Sequence, residues 1–211
     1  MCGNNSFGNY SDGFNYSDRI QHLDALQRET NIIMIPSIVF LCLISTTGVI
    51  GNSLVLVVYS CRFSRSAVRT FMKAVAVLDL LINTLVIPAE IYDMFHAWDF
   101  DQPLVCRVRR FFNAQTTSAS GFLLVAIAVT RYRKICRPFD RQVNITEAKR
   151  ICGVTVLVSS VVSIPYGIIN GRKTRKSSVP GINGCYCSVD DSYDGTKWPV
   201  VNSSFFVLVF L

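Results

Sequence analysis

The fold is decided by the run Asn31–Cys61, NIIMIPSIVFLCLISTTGVIGNSLVLVVYSC, which carries no charged side chain. An apolar run of about 18 residues or more is long enough to cross a bilayer as a helix. A water-soluble helix would instead place a polar face toward solvent in every turn. Three further runs have no charged residue: Phe111–Thr130, Ile151–Gly171 and Trp198–Leu211. A fifth apolar run, Ala74–Ala89, carries one charged residue, Asp79. We therefore predict an all-α integral membrane protein, a bundle of helices that cross the bilayer.

The apolar runs predict a polar tail followed by five spans. The tail covers residues 1–30, and the transmembrane domain covers 31–211 with spans at about 31–61, 71–95, 104–133, 149–171 and 198–211. At about 1.5 Å per residue, the last run of about 14 residues is too short for a hydrocarbon core of about 30 Å. We therefore expect four complete spans and an incomplete fifth, in a fragment or a truncated product. The tail has no apolar core before a cleavage site, so the first span is expected to act as its own insertion signal.

The positive charge is concentrated in two connectors. The protein is 50% hydrophobic and only 17% charged, with a net charge of +7. The connector Arg62–Lys73 has four basic residues and no acid, and the segment Arg131–Arg150 has seven basic residues against two acids. An excess of Lys and Arg in short loops marks the cytoplasmic side. We therefore predict a multi-pass plasma membrane protein with the N-terminus and the segments 90–110 and 172–197 outside. This distribution indicates that the basic residues lie beside a lipid bilayer and do not form a nucleic-acid-binding surface.

Glycosylation signals agree with that orientation. The tail contains three Asn-x-Ser acceptor sequences, at Asn4, Asn9 and Asn15. A fourth acceptor sequence, at Asn144, falls in the second basic connector and should stay unmodified. We predict a glycosylated extracellular tail.

Four of the eight cysteines lie on the predicted outer side, where disulfides persist. They are Cys2 in the tail, Cys106 at the outer end of the third span, and Cys185 and Cys187 in the loop after the fourth. A bridge from Cys106 to either loop cysteine would hold that loop over the mouth of the bundle. The remaining loop cysteine could pair with Cys2 or stay free. No histidine is near the Cys-Tyr-Cys pair, so we do not expect a zinc site.

The end of the third span carries the clearest motif, Thr130-Arg131-Tyr132-Arg133-Lys134-Ile135-Cys136-Arg137-Pro138. This segment resembles the Asp-Arg-Tyr-x-x-Ile-x-x-Pro signature of rhodopsin-like (class A) G-protein-coupled receptors. Further matches lie at the separations typical of that family: Cys106, 25 positions before Arg131; Gly51-Asn52; Asp79 with Pro88 nine residues on; Trp98-Asp99-Phe100; and Ser120, 11 positions before Arg131. The resemblance implies the seven-transmembrane receptor fold, of which about four and a half helices would be present.

The resemblance also implies roles for individual residues. A heterotrimeric G protein would couple to Arg131, Tyr132, Ile135 and Pro138, and Cys106 would bridge Cys187 in preference to Cys185. A sodium ion, the only metal or cofactor expected, would be held by Asp79 and Ser120. Asn52 would form a hydrogen bond between helices. A carboxylate in mid-membrane costs about 2.5–3.5 kcal/mol on insertion scales, which favours a functional role for the aspartate. Thr130 stands where the family has an acid, so we expect a weaker resting lock on the arginine, since threonine offers only a hydroxyl.

The outer residues indicate the class of ligand. Asn113 occupies the position where amine receptors have an aspartate, so an amine ligand is not expected. The loop sequence Cys187-Ser188-Val189-Asp190-Asp191 resembles that of peptide receptors. We place Asn113, Arg109 and Arg110 in the ligand pocket, where the two arginines would suit an acidic or carboxylate-bearing peptide by charge complementarity. Solvated loop charge without a ligand role is the alternative interpretation.

The function predicted from the sequence is a receptor that binds an extracellular peptide and, when complete, activates a heterotrimeric G protein. One alternative is a truncated, non-signalling receptor that associates with full-length receptors in an oligomer. Another is a four-span structural or scaffolding membrane protein such as a tetraspanin, although that family places its large loop outside between its third and fourth spans. We do not expect an enzyme, since the sequence shows no catalytic, metal or nucleotide pattern.

Overall fold

The computed structural model describes residues 16–62, 64–179 and 182–210. The chain forms long helices joined by short connectors, and four helical stretches are long and apolar enough to cross a membrane. The predicted all-α membrane bundle is thereby confirmed. The helical elements are α1 (Tyr16–Cys61), α2 (Ala67–Leu81), a π-helical turn (Ile82–Val86), α3 (Ile87–Phe95), α4 (Pro103–Cys136), α5 (Ile145–Ile169) and α6 (Trp198–Phe210).

Local sequence signals fix the helix ends at the basic connectors. Ser66 caps α2, its side chain accepting a hydrogen bond from the Arg69 backbone N–H at 3.2 Å. Asn144 and Glu147 form a capping box at the start of α5, with hydrogen bonds of 2.8 and 3.0 Å. At the end of α4, the Gln142 side chain donates to the Arg137 carbonyl at 2.9 Å. The Asn144 side chain, which carries a glycosylation signal in the sequence, thus serves as a helix cap.

Helix α1 begins well before the apolar run that predicted it. It starts at Tyr16, so the second half of the predicted polar tail is helical. This extension packs on the outer loops: Trp98 donates its backbone N–H to Gln27 Oε1 at 3.0 Å and its indole N–H to Thr30 Oγ1 at 2.8 Å, and His22 lies 2.9 Å from Ser177 Oγ. A polar helix of this kind is stabilised by tertiary packing. The charge-free run therefore marked the membrane segment and not the helix start.

The second span, α2 through α3, is interrupted by the π-helical turn just before Pro88. Proline has no N–H, so the preceding turn loses one backbone hydrogen bond and is free to widen. The Thr84 hydroxyl donates to the Leu80 carbonyl at 2.7 Å within this turn. Glu90 and Asp93 follow the turn, on the part of the helix that faces the outer mouth.

A β-hairpin covers the outer end of the bundle, a feature that the sequence analysis did not predict. Strands β1 (Asn170–Lys176) and β2 (Asn183–Val189) pair antiparallel, with Arg172 opposite Cys187 and Thr174 opposite Cys185. The first outer loop is hydrogen-bonded to this hairpin through Cys185. The Phe100 backbone N–H donates to the Cys185 carbonyl at 3.0 Å, and the Cys185 N–H donates to the Trp98 carbonyl at 3.1 Å. A side chain at Gly184 would approach the Trp98 carbonyl to 2.7 Å, so glycine permits the contact.

A cation stacks between aromatic rings where the hairpin meets this loop. The Arg175 guanidinium lies 5.1 Å from the Trp98 ring centroid and 4.4 Å from that of Tyr186. Such contacts are worth about 0.5–1 kcal/mol each at exposed sites. The hairpin, the first outer loop and the α1 extension therefore form one connected outer layer.

The core lies between α2, α4 and α5. Phe71, Leu123 and Ala148 are almost completely buried there, with Ala67, Leu78, Ala119 and Ile127 around them. Small buried residues on the facing helices, Ser118, Ser159 and Ser163, let the helices approach closely. The outward faces are apolar and exposed, as expected for side chains that contact lipid.

Candidate functional site

The Cys106–Cys187 disulfide joins the start of α4 to β2 across 81 residues of sequence, with the Cα atoms 5.5 Å apart. Both cysteines are buried. This confirms the predicted pairing and the choice of Cys187. Cys185 is itself disulfide-bonded. The predicted sites Cys2, Asn4, Asn9 and Asn15 lie outside the described residues.

Arg109 lies directly beneath this disulfide in a buried ionic cluster. Its side chain is only 2% exposed and forms ion pairs with Glu90 and, at 2.8 Å, with Asp93. Its Nη2 also lies 2.9 Å from Cys187 Sγ, and the Asn113 amide reaches Glu90 at 3.4 Å. The expectation that Arg109 adds free positive charge to the mouth is therefore wrong, because two carboxylates compensate its charge.

The three predicted pocket residues do not share one pocket. Arg110 and Asn113 line a cavity of about 170 Å³ on the inner side of α4, together with Tyr166 of α5. Arg109 instead borders a separate groove of about 460 Å³ between the second span and α4, whose other walls are mostly aliphatic. The candidate ligand-contact residues in the first cavity are thus Arg110 and Asn113.

Charged residues of the long outer loop form ion pairs within the loop and with α4 and the first outer loop. The ion pairs are Arg107–Asp190 at 3.6 Å, Arg172–Asp101 at 3.1 Å, and Lys173 with Asp194 at 2.5 Å and with Asp191 at 3.8 Å. The hydrogen bond to Asp194 raises the pKa of Lys173. Burial alone would raise the pKa of Asp190, but hydrogen bonds from Ser192 and the charge of Arg107 lower it below its ordinary value. Exposed pairs of this kind add little stability each, but together they hold the loop's shape.

The predicted sodium residues have uncommitted oxygens. The Asp79 carboxylate is half-buried in α2 and has no hydrogen-bond or ion-pair partner within the described chain. Ser120 Oγ on α4 is buried and also without a partner there. Oxygen donors of this type suit a hard cation, so the two residues fit the role, although no direct hydrogen bond joins them among the described residues. No cluster of three or more His, Cys, Asp or Glu residues occurs in ranges 16–62, 64–179 and 182–210.

Among the described residues, the hydrogen bonds between α1 and the second span come from residues other than Asn52. The Asn52 amide donates to the Gly48 carbonyl of its own helix at 3.0 Å. In mid-span the Ser45 hydroxyl donates to the Asn83 carbonyl at 2.7 Å, and Gly48 lies against the Asn83 side chain. Toward the two ends, Gln27 donates to the Met94 carbonyl at 3.2 Å and Arg69 to the Ser60 carbonyl at 2.9 Å. Small residues three positions apart, Ser45 and Gly48, were the available sequence signal for this interface.

The opposite end of α4 exposes the residues that the sequence analysis predicted to couple to a G protein. Tyr132 is 58% exposed and Ile135 77%, and Arg131 is exposed without an ion pair among the described residues. Thr130 is buried, and its hydroxyl donates to the Ala126 carbonyl at 2.7 Å, so it does not hold the arginine. Phe139, which follows Pro138, is fully exposed. Sequence reasoning missed it, although a large apolar residue in a polar connector was a visible signal.

Comparison with known proteins gives a consistent result. The sequence model of the family described as 7 transmembrane receptor (rhodopsin family) matches residues 51–211. The chain is 31% identical to the cholecystokinin receptor of Xenopus laevis over 67% of this chain and 31% of that protein. It is 31% identical to neuromedin-U receptor 2 of Mus musculus, over 72% and 41%, and 30% identical to neuropeptide Y receptor type 2 of Gallus gallus, over 75% and 39%. The chain therefore spans well under half the length of these relatives.

Proposed function

Because the chain belongs to the rhodopsin family of seven-transmembrane receptors, we propose that it binds an extracellular peptide and contributes to activating a heterotrimeric G protein. The names of its relatives support a peptide ligand. The observation that carries the proposal is the hairpin anchored by Cys106–Cys187 beside the cavity at Arg110. Its strands offer a broad rim of backbone and polar groups, which suits an extended peptide better than a small amine.

The orientation that this function requires places the hairpin outside the cell. A disulfide persists in an oxidising compartment, and Cys106–Cys187 lies at the hairpin end. The basic connectors lie at the other end, as the positive-inside rule requires of the cytoplasmic side. Both observations support an extracellular N-terminus in the plasma membrane.

Within the cavity, we assign the recognition of a carboxylate on the peptide to Arg110. Two acids compensate Arg109, which lies outside this cavity, so Arg110 is the cationic residue that lines it. Asn113, Thr117 and Tyr166 are the other polar residues of its wall. Hydrogen bonds to a charged group contribute about 1.5–3 kcal/mol, or roughly tenfold to hundredfold in affinity.

The test uses the 211-residue chain in lipid nanodiscs with labelled cholecystokinin, neuromedin U and neuropeptide Y as probes. We expect saturable binding of at least one peptide, weakened about tenfold or more by Arg110→Gln. Arg107→Gln is the matched control, because that arginine is exposed on the same helix and pairs outside the cavity. Equal affinities for the wild type and both variants would contradict the role of Arg110, and absence of saturable binding would contradict a ligand of these three classes.

Coupling to the G protein is assigned to the exposed end of α4 and its connector. Arg131, Tyr132 and Ile135 present polar and apolar groups together, and Phe139 adds a fully exposed aromatic ring. We expect a purified heterotrimer to be retained by the nanodisc-embedded chain. Arg131→Ala and Phe139→Ala should reduce this retention, whereas Lys134→Ala should leave it unchanged. Retention that is equal in all variants would contradict the assignment.

A sodium ion between Asp79 and Ser120 is proposed as the only cofactor. A ligand that binds only the folded state raises its stability as its concentration rises. We therefore expect sodium chloride to raise the melting temperature more than choline chloride does, and Asp79→Asn to abolish the difference. A sodium effect of equal size in the Asp79→Asn variant would place the ion elsewhere.

A further inference from the structure

The groove of about 460 Å³ between the second span and α4 lies in the half of the membrane nearest the hairpin. We call it the outer groove. Neither Arg110 nor Asn113 lines it, so it is distinct from the cavity proposed for the peptide. Its apolar walls are formed by Leu81, Leu85, Val86 and Ala89 on one side and by Leu104, Val105, Val108 and Phe112 on the other.

The outer groove opens toward lipid. Three residues that line it, Leu85, Leu104 and Phe112, are 62%, 71% and 50% exposed. On α4 the lining residues Leu104, Val108 and Phe112 lie four positions apart, so they form one apolar stripe along the helix. An occupant of this groove therefore enters from the bilayer and has an apolar body.

One polar side chain on the outer groove has no hydrogen-bond partner. Gln115 lines the groove and is only 9% exposed, and its amide makes no hydrogen bond within the described part of the chain. The other two polar residues of the wall are engaged: Arg109 pairs with two carboxylates, and the Thr116 hydroxyl donates to a carbonyl of its own helix at 2.7 Å. A buried amide without a partner is costly. An occupant with a hydrogen-bonding group at Gln115 would remove that cost.

The position of Gln115 along α4 places its amide near the middle of the bilayer. The helix begins at Pro103, and at about 1.5 Å per residue Gln115 lies about 18 Å further along it. Half of a hydrocarbon core of about 30 Å is about 15 Å. Neither the acyl chains of phospholipids nor the side chain of cholesterol carries a polar group at that depth. The amide therefore selects an amphiphile with a polar group at its inner end.

We propose that the outer groove binds a sterol that is hydroxylated at the end of its side chain. The ring system lies against the apolar walls, with the ring hydroxyl at the level of the head groups beside the start of α4. The side-chain hydroxyl forms a hydrogen bond with the Gln115 amide. A fused ring system loses less conformational freedom on binding than an acyl chain does. The volume of the groove falls in the range of about 300–1,000 Å³ typical of small-molecule sites.

The test uses native mass spectrometry to count the sterols retained by the 211-residue chain in phosphatidylcholine nanodiscs. Cholesterol is compared, in separate preparations, with two isomers that carry a second hydroxyl: 25-hydroxycholesterol on the side chain and 7α-hydroxycholesterol on the ring. We expect the side-chain isomer to be retained about threefold to tenfold better than cholesterol, and the ring isomer no better. Gln115→Leu should remove this preference and leave cholesterol retention within about twofold. The control Thr47→Val, which removes a lipid-exposed hydroxyl from α1, should keep the preference.

A second pair of variants tests the groove itself. Val108→Trp fills the groove and should lower retention of all three sterols by about tenfold, whereas Val125→Trp, at a 61% exposed position of the same helix outside the groove, should not. Equal losses in these two variants would show unspecific sterol at the protein surface. The proposal is also overturned if the wild type shows no preference, if the preference persists in Gln115→Leu, or if that variant loses every sterol equally.

Discussion

Replacing Arg109 by methionine should destabilise the protein strongly, because the arginine is the only cation that touches Glu90 and Asp93 among the described residues. The arginine side chain is 2% exposed, and its two acidic partners are 25% and 18% exposed. Methionine keeps an unbranched stem of similar length and removes only the charge and the donors. The variant therefore removes the only ion-pair partner of both neighbouring carboxylates among the described residues, and leaves Asp93 with the weaker influence of Arg110 and His96.

The cost follows from the burial of the cluster. Breaking a buried ion pair from one side costs about 3–5 kcal/mol. Both acids keep some contact with solvent, so we expect the lower end, about 3 kcal/mol. For a chain of this size each kcal/mol corresponds to about 2–4 °C, which gives a fall in melting temperature of about 6–12 °C. The fall can be followed by a thiol-reactive dye in detergent once the exposed free thiols Cys42, Cys61 and Cys136 are replaced by serine, since Cys152 is a partly buried free thiol that unfolding exposes.

Two further variants make the test specific. Arg107→Met removes an arginine whose side chain is 45% exposed and paired at 3.6 Å, so it should cost no more than about 1 kcal/mol. Adding Asp93→Asn to Arg109→Met removes one of the stranded charges and should recover part of the loss. The reasoning is refuted if Arg107→Met and Arg109→Met lower the melting temperature equally, or if the second substitution lowers it further.

Three other predictions concern packing, the disulfide and pH. Gly48→Ala should destabilise the protein by about 1–3 kcal/mol in thermal unfolding, because its new methyl group meets the Asn83 side chain. The control Gly51→Ala faces open space and should be neutral or slightly stabilising. Cys187→Ser should cost about 2–5 kcal/mol and loosen the hairpin in hydrogen exchange, unlike Cys152→Ser at a free thiol. The pKa of Asp190 is lowered in the folded protein, so its contribution to stability is present above its ordinary pKa of 3.8 and is lost as the pH falls through the folded-state pKa. Protection of the hairpin amides from hydrogen exchange should therefore be constant from about pH 5 to 8 and fall below about pH 4.

The membrane segments could be predicted from sequence because lipid imposes a simple rule. A run such as Asn31–Cys61 without a charged residue has few alternatives to a spanning helix. The disulfide partner of Cys106 was also predicted, through the resemblance of the loop that contains Cys187. In both cases the information lay within one continuous stretch.

The outer layer could not be predicted in the same way, because distant segments determine it. Strand β1 reads Asn-Gly-Arg-Lys-Thr-Arg-Lys and has no alternation of apolar and polar residues. It pairs because β2 is tied to α4 and hydrogen-bonded to the first outer loop. Helix α1 extends to Tyr16 because Trp98 contacts it some 70 residues later in the sequence.

The partners of Arg109 were a missed signal of a different kind. Glu90 and Asp93 are three residues apart in the outer part of a spanning helix, and so lie on one face of it. A pair of acids at that depth requires a cation from a neighbouring helix, and Arg109 lies in the second turn of the next one. Considering depth in the membrane together with charge would have removed the arginine from the ligand pocket.

The π-helical turn Ile82–Val86 sets the rotational phase of everything that follows it in the second span. A wider turn accommodates one more residue than an α-helical turn, and each residue of an α-helix rotates the helix by about 100°. Glu90 and Asp93 meet Arg109 only with that rotation in place. Deleting a single residue within the turn would straighten the helix and turn both acids by about a quarter of a revolution, away from their cation and toward lipid. Insertions and deletions in this five-residue segment should accordingly be tolerated far less well than substitutions of its side chains.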